Sequence, residues 1–462
     1  MRIAFVTHQY PPRYNTGTEL YAKRLALRIR GVFGHDVRIF TCEPSFQSHP
    51  ELIRREETVD EGVAVTRVGM WSGLLPNQSL GAYYNVLYGK MFSRYLQQVQ
   101  PDVVHFFHSA FLGASLLEEC FLRDIPTVVN LMDFWFLCPT AQLLKTRNHD
   151  RCAGPSPFEC LECLSLHNVD FDRLLTFTRG VGFVNPFPET LVADHGRRMN
   201  NSTPYAAFTS IGSRLEFLRG VLSRADAVVA PSNTVRRAFL EHGYPPGMIR
   251  TCGYGVDPMP SYTFDREPHE SLRLGFIGSI NPPKGLHVLV DAFTGQPGNM
   301  TLQIYGDPSH FPHYAENCFS ISRRDPRIRI RGPMRPEHLG TALRDIDALV
   351  VPSVWQENTP FVVLEARAAG VPVIGSSVEG IAEIVTDGKN GRLFEPGDVR
   401  GLRAILADLC EHRERLAAIS GHFTDVKTLL TNAREFANLY ASISAARRAR
   451  SGAPRFTERS AS

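Results

Sequence analysis

The chain has no stretch approaching the roughly 18 consecutive apolar residues that a membrane-spanning helix needs, so nothing in it reads as a transmembrane segment. It also lacks an excess of either charge: 50 Lys and Arg against 47 Asp and Glu leave a formal net charge of +3. That balance gives no electrostatic case for nucleic acid as a partner. The opening MRIAFVTHQY holds a basic residue and a short apolar run but no cleavage-like site. It reads as a first strand rather than a signal peptide. Together these absences predict a soluble, cytoplasmic protein, at most peripheral at the inner membrane face. A G-x-G-x-x-G turn is missing too, since HQYPPRYNTG follows the first strand. This argues against a dinucleotide-dependent oxidoreductase. With no secretion signal, nine cysteines point to free thiols or metal ligands rather than a disulfide framework.

What is present is an α/β pattern. At 462 residues the chain is long enough for two or three domains, and 43% hydrophobic residues suffice for packed cores. Short β-branched runs alternate with helical patterns: RIAFVT, DVRIFT, VAVTRV, DVVHFF, PTVVNL and DAVVAP, then LRLGFIG, MTLQIYG, RIRIRG, DALVVPS and VPVIGS. Such alternation implies βαβ units and a mainly parallel sheet. The Pro-rich, polar GVDPMPSYTFDREPHES between the two series reads as a linker. The expected layout is a first Rossmann-like domain over 1–262, with a Cys-rich insertion at about 138–165, and a second over 268–430. A terminal helix over 431–446 and a disordered basic tail over 447–462 complete it. Residues 181–205 carry no assignable pattern. Two doubly wound sheets make a cleft, and ligands bind such sheets at the carboxyl ends of their strands.

The most informative stretch is VVPSVWQENTPFVVLEARAAGVPVIGS, a buried strand, a polar loop, a helix and the next strand. Thr359 is placed to cap the helix, Pro360 suits its first position and Gly370 ends it. The amides of Phe361 and Val362 are then unpaired helix-start donors, suited to an anion or a sugar hydroxyl. Glu357 in the loop and Glu365 on the helix each accept two hydrogen bonds, which fits a diol. A nucleoside diphosphate sugar offers both chemistries. The spacing E-x7-E alone is too common to exclude two solvated charges.

Context makes it specific. The segment from Pro352 to Asp398 resembles, nearly end to end, the C-terminal signature of the retaining glycosyltransferases of GT-B type, family 4. LGFIGSINPPKGLHVLVDAF resembles that family's phosphate loop, ADAVVAPSNTVRRAFLEHGYPPGMIRTCGYGVD its link from the first domain, and YPPRYNTGTELYAKRLA its N-terminal glycine loop. The resemblance implies a GT-B fold and transfer of a sugar from a nucleotide-sugar donor to a hydroxyl acceptor, a glycan or lipid-linked glycan. Cell-surface polysaccharide or glycoconjugate biosynthesis is the implied setting. It assigns Glu365 to the ribose hydroxyls, Glu357 to the donor sugar and Lys284 to the diphosphate. Gly17, Gly278, Ser279, Asn358, Thr359, Pro360, Phe361 and Val362 would line the donor site, with Asp133 joining Glu357 and Lys284 in catalysis. Glu19, just past Gly17, reads as a first-turn helix charge rather than a ligand. No aspartate pair with metal-ligand spacing stands in the donor loops, so no catalytic metal is expected.

Two positions depart from the family's pattern. Ser279 stands where an arginine usually follows the loop glycine, and Met132 where a histidine usually precedes the aspartate. His8, His105 and His108, on or just past strand ends, are the candidates to compensate, against the reading of each as an ordinary polar residue at a strand terminus. A non-catalytic nucleotide-sugar-binding partner of the same fold is therefore the competing reading. Two further features stay open. Cys138, Cys152, Cys160 and Cys163 fit a tetrahedral structural zinc site or four reduced thiols. Lys23, Arg24, Arg28 and Arg30, among leucines on one helix, fit an anionic lipid surface or a solvated face.

Overall fold

The computed structural model describes residues 1–43, 53–70, 80, 82–146, 150–165, 203–257, 270–419 and 426–451. The unassigned stretch from 181 to 202, most of the linker and the tail beyond 451 lie outside them. Two sheets organise the chain. The first contains β1 (Arg2–Thr7), β2 (Asp36–Cys42), β3 (Ile53–Asp60), β4 (Val63–Met70), β5 (Val103–Phe106), β6 (Thr127–Asn130), β7 (Ala227–Ala230) and β8 (Ile249–Thr251). Their order is β3-β4-β2-β1-β5-β6-β7-β8. The second contains β9 (Leu272–Ile277), β10 (Met300–Tyr305), β11 (Ile328–Gly332), β12 (Ala348–Val351), β13 (Val373–Ser376) and β14 (Gly391–Phe394), in the order β11-β10-β9-β12-β13-β14.

All pairings are parallel except β3 with β4. β5, β6, β7, β12 and β13 are buried along their whole length. Parallel strands covered on both faces need such continuous apolar runs. β3 breaks the rule: IRREETVD is charged and half exposed along its length, as an edge strand must be to resist further pairing.

Among the helices, α1 (Gly17–Phe33), α2 (Pro157–Ser165), α3 (Thr203–Leu222), α4 (Leu286–Phe293), α5 (Phe361–Ala368) and α6 (Leu429–Ser451) matter for function. The terminal helix α6 is longer than expected, taking in residues through Ser451 that were assigned to the tail. It crosses back to the first lobe. Leu429, Ala433, Phe436, Tyr440 and Ile443 of α6 share a core with Ile3 and Phe5 of β1 and Leu25 of α1. The chain passes between the lobes twice, and the two passages run side by side where Val256 bridges Thr428.

The return helix is locked by His105 of β5, fully buried, whose Nδ1 stands 2.6 Å from Tyr440 Oη. Burial holds this imidazole down, to about 3. Its ordinary value is 6.5. Acid therefore protonates the unfolded chain first. Stability is full above pH 6.5 and falls as pH drops toward 3, by up to about 1.4 kcal/mol per unit. Urea unfolding of His105→Gln from pH 7 to 4 should show a shallower loss than the wild type; equal slopes would contradict this. His105 thus serves the core and is removed as a catalytic candidate.

Candidate functional site

In each sheet the strand order reverses once, between β1 and β5 and between β9 and β12. Such reversal points open a crevice beyond the strand carboxyl ends. The residues singled out by sequence gather at both.

In the second lobe, the chain leaving β9 passes Gly278, whose amide donates to Tyr305 O, and exposed Ser279. It then turns through the short 3-10 segment Pro282–Lys284. The Asn281 side chain accepts from the Lys284 amide at 3.1 Å and so fixes that turn. Gly285 follows at φ +69°, and a Cβ there would lie 1.9 Å from Pro352 O. Only glycine permits both the backbone angle and this approach. The Lys284 turn is thereby pressed against the loop leaving β12, and Lys284 Nζ reaches Glu357 Oε1 at 2.7 Å. Ser353 Oγ donates to the same oxygen at 2.6 Å. Glu357 Oε2 has no protein partner among the described residues. Trp355 lies beside the pair, its ring centroid 5.4 Å from Lys284 Nζ. Trp355 Nε1 and Asn358 Oδ1 are buried without hydrogen-bond partners. Unpaired buried polar atoms are costly, so these two invite a ligand.

α5 begins one residue later than the cap expectation. Pro360 is its N-cap, and the Thr359 hydroxyl donates to Asn358 O instead of capping the helix. The loop cannot turn Thr359 inward because the other lobe holds it: Asn358 Nδ2 donates to Met132 O at 2.7 Å, and Ser232 Oγ donates to Asn358 O at 3.0 Å. Gly370 ends the segment at φ +73°, as expected. The first α5 amides bonded to backbone belong to Val363 and Leu364, both donating to Pro360 O. Phe361 and Val362 have none among the described residues. Glu365 is buried and accepts from Arg24 Nη1 of α1 at 2.8 Å. Burial raises its pKa, with Arg24 pulling the other way.

The first lobe presses its glycine loop onto this helix. A Cβ on Gly17 would come 2.8 Å from the Phe361 ring, so a larger residue there would have to displace that ring. Behind the loop, three strand ends bring together His8 after β1, His108 after β5 and Asp133 after β6. Asp133 Oδ2 is hydrogen-bonded to His108 Nε2, and its Oδ1 accepts from the Trp135 amide at 2.8 Å. The rings of His8 and His108 lie 4.1 Å apart, and His8 Nε2 is 3.1 Å from Glu19 Oε1. Two imidazolium ions this close would repel, and the neighbours decide which ring is charged. Burial opposes charge on His108, but Asp133 and then Glu19 outweigh it and raise its pKa. Burial and the His108 charge push His8 down. Glu19 is in the first turn of α1, as expected, and is fully buried against His8 and the Thr16 hydroxyl. Met132 is turned away into the core, where its sulfur accepts from Tyr254 Oη at 3.1 Å.

The basic residues of α1 have partners within the protein. Lys23 pairs with Asp60, Arg24 with Glu365 and Arg28 with Asp257, each at 2.8 Å, and Arg30 reaches Glu61 O at 3.4 Å. Arg30 remains exposed and the Arg28 side chain is 38% exposed. No helix among the described residues is long and apolar enough to cross a membrane.

The comparisons with known proteins agree with this geometry. Residues 15–156 match the Glycosyltransferase Family 4 description and residues 271–412 match Glycosyl transferases group 1, together more than half of the chain. A D-inositol 3-phosphate glycosyltransferase of Corynebacterium efficiens is 32% identical over 149 residues, covering 30% of this chain and 35% of that protein. The lipopolysaccharide 1,6-galactosyltransferase of Escherichia coli is 27% identical over 190 residues, covering 39% and 52%. The matched stretches thus span about a third to a half of these relatives' length. Among solved structures, Anabaena HepE in complex with UDP and glucose superposes with a TM-score of 0.62 at 17% identity, covering 96% of this chain and all of that one. Sucrose-phosphate synthase of Thermosynechococcus elongatus does so with a TM-score of 0.63 at 16% identity, covering 96% and 99%. With one family description on each lobe and the two-sheet architecture of these GT-B structures, the chain belongs to the group 1, family 4 glycosyltransferases.

Proposed function

We propose that this chain is a retaining glycosyltransferase that moves a sugar from a nucleotide-sugar donor to a hydroxyl acceptor in glycoconjugate or polysaccharide assembly. The observation that carries the reading is the Lys284–Glu357 pair. It joins the loops after β9 and β12 at the reversal point, with Glu357 only 3% exposed. A buried ion pair without a ligand to serve is a poor stabiliser, because desolvation offsets most of its attraction.

In this reading Lys284 and the first amides of α5 take the diphosphate. Glu365 holds the ribose hydroxyls and Glu357 Oε2 the donor sugar. The bond from the anomeric carbon to the diphosphate oxygen breaks as the acceptor oxygen bonds to that carbon on the same face. The acceptor proton passes to the departing diphosphate oxygen, so no enzymic nucleophile is needed. Lys284 stabilises the charge that grows on the leaving group, which is where preorganised electrostatics has most effect. This assignment leaves that work to protein groups rather than to a metal ion. Positioning supplies the rest. Asp133, through His108, shapes the floor opposite.

The competing reading, a nucleotide-sugar-binding partner without activity, is favoured by one observation: Met132 and Ser279 place neither an imidazole nor a guanidinium on the donor. Assay of donor turnover by the purified chain and by Glu357→Gln separates the two. The proposed function requires turnover in the wild type that the substitution removes. Binding without turnover in the wild type supports the partner reading.

A further inference from the structure

Cys138, Cys152, Cys160 and Cys163 come from three segments yet line one small cavity, together with Pro139, Leu143, Leu144 and Glu159. Its volume is about 10 Å³, room for little more than one water or ion. Cys138 closes a turn in which its amide donates to Phe134 O at 2.7 Å. Cys152 follows the bridge between Leu144 and Arg151, its amide donating to Leu143 O at 2.8 Å. Cys160 and Cys163 are three residues apart on α2 and therefore share a face of that helix. All four are free thiols. The Thr146 amide points at Cys163 Sγ from 3.5 Å, the contact that a thiolate ligand prefers.

A second, independent observation lies behind the cavity. Arg214 of α3 is 96% buried, its relative exposure being 4%. Nη2 donates to Trp135 O, and Nη1 is buried without any partner. The guanidinium packs over the Tyr83 and Trp135 rings at 5.9 and 5.2 Å. Among the described residues it has no carboxylate partner. Cys138 and Cys160 are among the groups in electrostatic reach of it. Buried cations are otherwise paired with an anion.

We propose that the four cysteines bind a structural zinc ion and that Arg214 balances the charge of that centre. Four sulfur donors suit tetrahedral Zn²⁺. Binding displaces four thiol protons and yields a zinc tetrathiolate of charge −2, the counter-ion that Arg214 lacks. Among the described residues the thiols do not yet stand in ligating geometry. Metal binding would bring the four sulfurs to ligand distance. The clip would pin a loop that touches the other lobe, since Arg151, beside the ligand Cys152, reaches Glu379 at 3.3 Å.

The test is elemental analysis of the full chain, expressed with zinc in the medium and purified without chelators. About one zinc per chain is expected, falling below about a tenth in Cys160→Ser and Cys163→Ser while Cys410→Ser keeps it. Should the serine variants fail to fold, Co²⁺ titration of metal-stripped wild type should give the intense thiolate charge-transfer bands of a tetrahedral site. Wild type without zinc, iron in its place, or a weak six-coordinate cobalt spectrum would overturn the proposal.

Discussion

Lys284→Met should lower donor turnover by about 10²–10³-fold, the loss that follows removal of one preorganised partner from a developing negative charge. Lys284 is the only cation placed on Glu357 among the described residues, and Ser279 adds no charge where a guanidinium would help. The effect should fall on kcat more than on KM, because the leaving group's charge exists chiefly in the transition state. Folding should suffer as well. Deleting one member of a buried pair costs about 3–5 kcal/mol. The lower end applies here, since the Lys284 side chain is 28% exposed and Ser353 still bonds Glu357. Steady-state kinetics alongside urea unfolding separates the two losses. Turnover within about threefold of wild type in a folded variant would remove Lys284 from the chemistry.

Glu357→Gln is the second large effect. Glutamine keeps the shape of the side chain and can still accept from Lys284 and Ser353 through Oε1. It replaces Oε2 by an NH₂ group, which cannot accept from a sugar hydroxyl. Turnover should drop by about 10²–10³-fold while the chain remains folded. Affinity for the bare nucleoside diphosphate should change by less than about threefold, since the sugar contact alone is lost. Calorimetry with the diphosphate and with the intact nucleotide sugar reads this split. Equal weakening of both would show that Glu357 merely holds Lys284 in place.

The strands that carry the fold were legible because their burial is simple. RIAFVT and VPVIGS are apolar through their middle residues, which fits strands inside a covered sheet. β3 escaped because an edge strand needs no such pattern, and IRREETVD reads as a polar loop. The turns of the donor loops were legible through local chemistry, as Gly370 ends the helix where its position predicts, whereas the pairing of Lys284 with Glu357 spans 73 residues and comes from the sheet order. The Thr359 cap failed because Met132 and Ser232, more than a hundred residues away, hold that loop. Likewise His8, His108 and Asp133 stand at separate strand ends, and only the sheet order makes them neighbours. Sequence singled them out one by one but could not pair them. The ion partners of the α1 basic row, Asp60, Asp257 and Glu365, lie far off in the sequence, so these pairs could not be read from the helix alone.

The central claim is that the second lobe grips an activated sugar by its diphosphate and its hydroxyls together. Isothermal titration of the purified chain with UDP-, GDP- and ADP-hexoses, free hexose and free nucleotide tests it most directly. The account predicts one-to-one binding of at least one nucleotide sugar, no binding of free hexose, and about tenfold or greater weakening in Glu365→Ala. Binding of none of these donors, or the same affinity in Glu365→Ala and Lys284→Met as in wild type, would contradict it.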